Sequence, residues 1–218
     1  MLSDEMRRIN KCPAPPTLAK EKKTCGNNWD NVSQGTKKLW RDQLFKEQKG
    51  LDAYTEEILS LDDKTTTHID HFKKRAHHPE LTFDWGNLFL ANHQNNKAYG
   101  ADAKDNGTNK IEKDKYDDLI YPAAKKEDPH EYFTYSLEGD ICPREGLDDT
   151  RRKKAQFTID TFCLNSPVLL KSRNGILRIL QSYQDQLEES FEYLKGNPFP
   201  SLIECYKQEK WWLLQKDK

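Results

Sequence analysis

Residues 67–100 read THIDHFKKRAHHPELTFDWGNLFLANHQNNKAYG, and the fold hinges on how this stretch is divided. The β-branched run Thr65-Thr66-Thr67 leads into Ile69 and predicts an extended segment ending at the pair Asp70-His71. Phe72 to Gly86, with Pro79 and Gly86, predicts a long loop. Asn87-Leu88-Phe89-Leu90 predicts a short strand, and His93 to Gly100 a short helix. The order is strand, loop, strand, helix. Five of the six histidines lie between His68 and His93, a clustering that packing alone does not explain.

Outward from this stretch, residues 1–32 read as an irregular arm, with Pro13, Pro15 and Pro16 close together and Gly26-Asn27-Asn28 after them. Ser33 caps a predicted helix running to about Gln48, which Gly50 ends. Tyr54 to His71 reads as two short extended segments, and Ala101 to Lys110 as a polar, mobile connection. Tyr132–Ser136 and Asp140–Cys142 flank Glu138-Gly139 as a hairpin. One helix is expected over Thr150–Leu164, and another starts at Ser166-Pro167. Ile176, Leu180, Tyr183, Leu187, Phe191 and Leu194 form one helical stripe, stopped by Gly196 and Pro198. A last helix covers Pro200–Leu214, ending at Trp211-Trp212-Leu213-Leu214. The expected organisation is an arm (1–32), a core with a flanking helix and hairpin (33–148) and a helical C-terminal region (149–218).

The 218 residues are 35% apolar and 33% charged, with net charge −1. That balance excludes a polycation coating nucleic acid, so any phosphate contact must use local patches such as Arg151-Arg152-Lys153-Lys154. No apolar run reaches the ~20 residues of a membrane helix, and MLSDEMRRIN lacks the apolar core of a secretory signal. Five scattered cysteines without a CxxC pair point to a reducing, cytoplasmic setting.

The residue types of the central stretch suit phosphodiester hydrolysis. A neutral imidazole can take a proton from water near pH 7, and a hard divalent cation can neutralise a phosphate and its leaving oxygen. Such a cation prefers oxygen donors, which Asp70 and Asn96 supply. On an extended segment His71 points away from Asp70, so a distortion from the following loop is needed to bring them together. The Asn87 side chain can hold backbone on both sides and so fix the loop that follows His71.

DHF, NLFLA and the Asn87–Asn96 spacing resemble HNH nucleases of the ββα-metal type. The resemblance implies an α+β fold in which a ββα-metal core carries a helical C-terminal region and an extended N-terminal arm. It implies His71 as general base, Asp70 and Asn96 as ligands of one Mg²⁺ or Mn²⁺, and Asn87 as loop holder, with His68 an accessory candidate. MRRINKCPAPPTL, THIDHF, FDWGNL, DPHEYFTYSLEGDICP and TFCLNSPVLLKSRNGIL together resemble the PtuB family, the HNH subunits of Septu anti-phage systems that also occur beside retrons. That likeness spans most of the chain. It implies a PtuA-like ATPase of ABC or SMC type as partner, and in retron settings a reverse transcriptase with its RNA-linked DNA. The N-terminal arm and C-terminal helices are candidates for docking.

Many HNH proteins carry two CxxC pairs around a structural zinc. The corresponding positions here are Asp52, Thr55, Asn92 and Asn95, so no structural zinc is expected and hydrogen bonds take its place. Lys73, Lys74, Arg75 and Lys97 either line a nucleic-acid groove or form a solvated face. Two alternatives to a DNA-directed endonuclease stand: an RNase of the same fold cutting tRNA or other RNA, and a non-catalytic subunit that binds nucleic acid or a partner.

Overall fold

The computed structural model describes residues 8–62, 66–93, 99–106, 110–183, 187–194 and 196–208. The fold is mixed α+β: two separate two-stranded antiparallel sheets are set among helices. In the first sheet, β1 (Thr67–His71) pairs with β2 (Leu88–Asn92), with Asp70 opposite Phe89 and His71 opposite Leu88. In the second, β3 (Phe133–Tyr135) pairs with β4 (Ile141–Pro143).

β2 is apolar at four consecutive positions because it is buried on both faces. Leu88, Phe89, Leu90 and Ala91 are all 0% exposed. Phe89 and Ala91 enter a cluster reaching from Ile9 through Tyr54 and Phe72 to Ile159, Phe162, Leu177 and Tyr206. Leu88 and Leu90 enter a second cluster with Leu18, Trp29, Trp40, Phe83 and Trp85. Burying each such side chain contributes about 1.5–3 kcal/mol. The outer edge of β2 is closed by side chains. Gln48 accepts from Leu90 N at 2.6 Å and donates to Leu90 O at 2.9 Å, and Lys11 Nζ donates to Leu88 O at 2.9 Å.

The helix expected after Ser33 is α2 (Gln34–Glu47), with Ser33 accepting from Thr36 N. The expected hairpin is β3–β4, and Asp148 caps α4 (Asp149–Thr161). Ser166 and Pro167 begin α5 (Pro167–Ser182).

Several expectations are corrected. The supposedly irregular N-terminal segment contains α1 (Pro16–Cys25) and a 3-10 turn at Trp29–Asn31. From Ile9 on it is part of the core, since Ile9, Leu18, Trp29 and Val32 are buried. Trp40 Nε1 donates to Thr17 Oγ1, joining α2 to α1. The first extended segment after Tyr54 is instead a turn closed by a single bridge between Leu51 and Ile58.

Part of the polar stretch 101–110 is the helix α3 (Ala101–Asn106), with Ala101, Ala103 and Lys104 at 0% exposure. Gly100 permits it: at φ 62° its N–H reaches Phe162 O at 2.7 Å, and a Cβ there would press on Thr55. The long stripe is two helices. α5 ends at Ser182 and α6 covers Leu187–Tyr193, with Tyr183 and Tyr193 stacked 6.5 Å apart. Ten residues of continuous helix would separate them by about 15 Å, so α5 and α6 are not one continuous helix. α7 covers Pro200–Gln208. The expectations for residues 94–98 and for Trp211-Trp212 lie outside the described residues.

Candidate active site

β1 stays regular through His71, and the alternation of a strand places Asp70 and His71 among different neighbours. The expected distortion is absent from the ladder. His71, 7% exposed, meets Trp29 edge to face with ring centroids 4.6 Å apart. Its Nε2 lies 3.0 Å from Thr82 O. A carbonyl only accepts, so Nε2 carries the proton and the Nδ1 lone pair is left for chemistry. Burial, only partly opposed by the Thr82 contact and Asp70, lowers the His71 pKa from 6.5 to about 4, so the ring is neutral at pH 7.

Asn87 grips the loop that follows. Its Oδ1 accepts from Lys73 N at 2.8 Å, and its Nδ2 donates to Lys73 O at 3.0 Å and Leu81 O at 3.3 Å. Phe72 N donates to Asn87 O at 2.9 Å. The two ends of the 72–87 loop are thus tied to one another, with Thr82 held over His71. Asp84 caps the 3-10 turn that carries Asn87 by accepting from Gly86 N.

Asp70 is buried, 4% exposed, and its Oδ2 receives both the Tyr54 hydroxyl at 2.5 Å and the Lys104 ammonium at 2.8 Å. Burial works against its charge, but Lys104 and Tyr54 outweigh it and hold the carboxyl below the usual range. Lys104 also donates to His71 O at 2.7 Å and Phe72 O at 3.2 Å. Neither Lys104 nor Tyr54 stood out in the sequence. The only available signal was a lysine following the small residues Ala101 and Ala103, on a helix too short to show a clear face.

The other candidates are more dispersed. His68 is exposed, its ring 5.3 Å from that of His93, whose Nδ1 lies 2.9 Å from Asp102 Oδ1. Lys73 pairs with Asp117 at 2.7 Å, Lys74 donates to Asp105 O, and Arg75 lies 3.8 Å from Asp30 and over Trp29. Lys73 and Asn87 border an open cavity of ≈ 330 Å³ that also touches Tyr116, Tyr121 and Lys154. Asn95, Asn96 and Lys97 lie outside the described residues. At the position compared with a zinc-binding pair, Asp52 accepts from Tyr54 N, Thr55 N and Asn92 N at 2.7–2.8 Å, fastening that turn to the end of β2.

The donor chemistry around Asp70 fits a hard cation. Three oxygens, from Asp70, His71 and Phe72, already converge on one positive charge, the Lys104 ammonium. No group of three His, Cys, Asp or Glu side chains able to hold a metal occurs among the described residues. The second carboxylate beside the Lys104 charge is Asp105, whose Oδ1 lies 3.6 Å from Lys104 Nζ.

No protein-family model matches this chain. Over 148 residues, 67% of its length and 68% of the relative's, it is 28% identical to the "Retron Vc95 putative HNH endonuclease" of Vibrio cholerae serotype O1 biovar El Tor. This similarity supports an HNH nuclease. Among the described residues, no helix is long and apolar enough to cross a membrane.

Proposed function

We propose that this chain is a metal-dependent HNH endonuclease with a ββα-metal centre, hydrolysing phosphodiester bonds of nucleic acid in an anti-phage system of Septu or retron type. The observation that carries the reading is His71: a neutral imidazole, fixed through Nε2 on Thr82 O, with Nδ1 unprotonated. In the proposed reaction Nδ1 takes a proton from water as the water oxygen attacks phosphorus. The bond from phosphorus to the leaving oxygen breaks, and that oxygen is protonated by solvent. Asn87 keeps the His71 loop in place during this step. A phosphate lying across the end of β1 would be within reach of both faces, since consecutive Cα atoms are only about 3.8 Å apart.

Asp70, together with Asn96, would hold one Mg²⁺ or Mn²⁺. When bound, that ion supplies charge neutralisation for the phosphate and the leaving oxygen. Lys73, Lys74 and Arg75, with Lys97, would contact the nucleic-acid backbone; the exposed Lys73–Asp117 and Arg75–Asp30 pairs are weak enough to exchange for phosphates. The relative's name places that protein with a retron. For this chain we propose a similar setting, with a PtuA-like ATPase as partner and a retron reverse transcriptase with its RNA-linked DNA as a further one.

The test is digestion of labelled DNA and labelled RNA by the wild-type protein with its ATPase partner, with Mg²⁺ or with EDTA, beside His71→Ala. Metal-dependent cutting lost in His71→Ala is expected, and the substrate arm that is cut decides between DNase and RNase. Equal cutting by His71→Ala, or none by the assembled wild type, would overturn the reading.

A further inference from the structure

Lys104 has no part in the chemistry above, yet it is 0% exposed and sits against the candidate site. Its ammonium is bound by Asp70 Oδ2, His71 O and Phe72 O at 2.8, 2.7 and 3.2 Å, with Asp105 Oδ1 at 3.6 Å. The Tyr54 ring lies 5.7 Å away and its hydroxyl shares Asp70 Oδ2. An all-oxygen shell around one buried positive charge is what a small hard cation also selects. The shell is assembled by the fold: α3 is anchored by Gly100 N on Phe162 O, and the two carbonyls belong to the last residue of β1 and the residue after it.

We propose that Lys104 is the resident counter-cation of Asp70, and that its ammonium and a divalent metal ion at Asp70 exclude one another. The proposal rests on the reading of Asp70 as a metal ligand. Two positive charges cannot share one buried carboxylate oxygen without strong repulsion. Metal entry therefore displaces the ammonium from Asp70 and frees the carbonyls of His71 and Phe72, so loading the ion and resetting the His71 backbone are one event. Without the ion, Lys104 spares the fold an unpaired buried carboxylate.

Mn²⁺ binding to the full chain, followed by electron paramagnetic resonance, compares wild type with Lys104→Gln and Asp70→Asn. Removing the competitor should tighten binding about tenfold or more in Lys104→Gln, while Asp70→Asn should lose the site. Unchanged or weaker binding in Lys104→Gln overturns the exclusion. Unchanged binding in Asp70→Asn overturns instead the metal-ligand reading beneath it.

Wild-type protein gives a second readout that does not depend on a variant folding. In EDTA the Lys104 ammonium should give a slowly exchanging ¹⁵N–¹H signal with through-space contacts to the Tyr54 ring. That signal should vanish or move as Mg²⁺ saturates the site. A signal that persists unchanged at saturating Mg²⁺ overturns the proposal.

Discussion

Trp29 meets His71 nearly perpendicular, at 82° and 4.6 Å between ring centroids, so an N-terminal residue forms one wall of the candidate general base's pocket. Trp29 is itself held by Trp40 and Phe83, and Arg75 and Lys37 lie over its ring. Trp29→Ala should destabilise the protein by about 3–5 kcal/mol. It should also admit water to His71 and raise the ring's pKa, shifts that denaturant melts and histidine NMR titration would measure. An unchanged His71 titration would show that Trp29 does not control that burial.

His71→Ala should lower phosphodiester cleavage by about 10²–10⁴-fold, the usual contribution of a positioned base. Circular dichroism should show the same fold, because Trp29 and Phe83 keep their other partners.

The pH response follows from the sign of the His71 displacement. Its folded value, about 4, lies below the ordinary 6.5, so the unfolded chain binds the proton more readily. The stability this group contributes is full above about pH 6.5 and is lost as pH falls through about 4, by an amount on the order of 3 kcal/mol. Asp70, held below its ordinary 3.8, contributes stability above that value and loses it on further acidification. Urea melts between pH 4 and pH 7 should show the loss, and the acid limb of cleavage should fall near pH 4 and not near 6.5.

Asn87→Asp keeps the acceptor for Lys73 N but removes the donor to Lys73 O and Leu81 O. It should cost about 1–3 kcal/mol through the carbonyls left unpaired. Cleavage should fall by more than the lost stability explains, since Thr82 moves with the loop. Thermal melts beside single-turnover rates would separate the two effects.

Lys11 and Glu47 form a nearly buried pair, 2.9 Å apart, and Glu47 also accepts from Trp85 Nε1. Removing one partner, as in Lys11→Met, should destabilise by about 3–5 kcal/mol because Glu47 is left uncompensated. The double change Lys11→Met with Glu47→Gln should recover part of that loss, measurable as a coupling energy in a double-mutant cycle.

Much of the scaffold was legible because local chemistry announced it. Ser33 and Ser166, read as caps, accept the hydrogen bonds that start their helices. The paired strands around Asp70 and Leu88–Leu90 followed from β-branched and apolar runs. Other features were hidden for physical reasons. α1 buries only Leu18, so it has too little apolar face to show a period. The stripe from Ile176 to Leu194 keeps helical spacing across two separate helices, and periodicity cannot reveal where one ends and the next begins. At the candidate site, His71 and Asn87 could be picked out by residue type and spacing. Lys104 could not, because a buried lysine looks like any surface lysine until its carboxylate partner, 34 positions away, is placed beside it.

The cluster that takes in Phe72 and Phe89 also takes in Phe162, Leu177, Leu202 and Tyr206. Helices α5 and α7 and the strands near the candidate base therefore share one apolar core and are expected to unfold as a unit. A protein that grips α5 or α7 and favours one packing of those helices would thereby bias the geometry around His71 from a distance, without touching the bond to be cut.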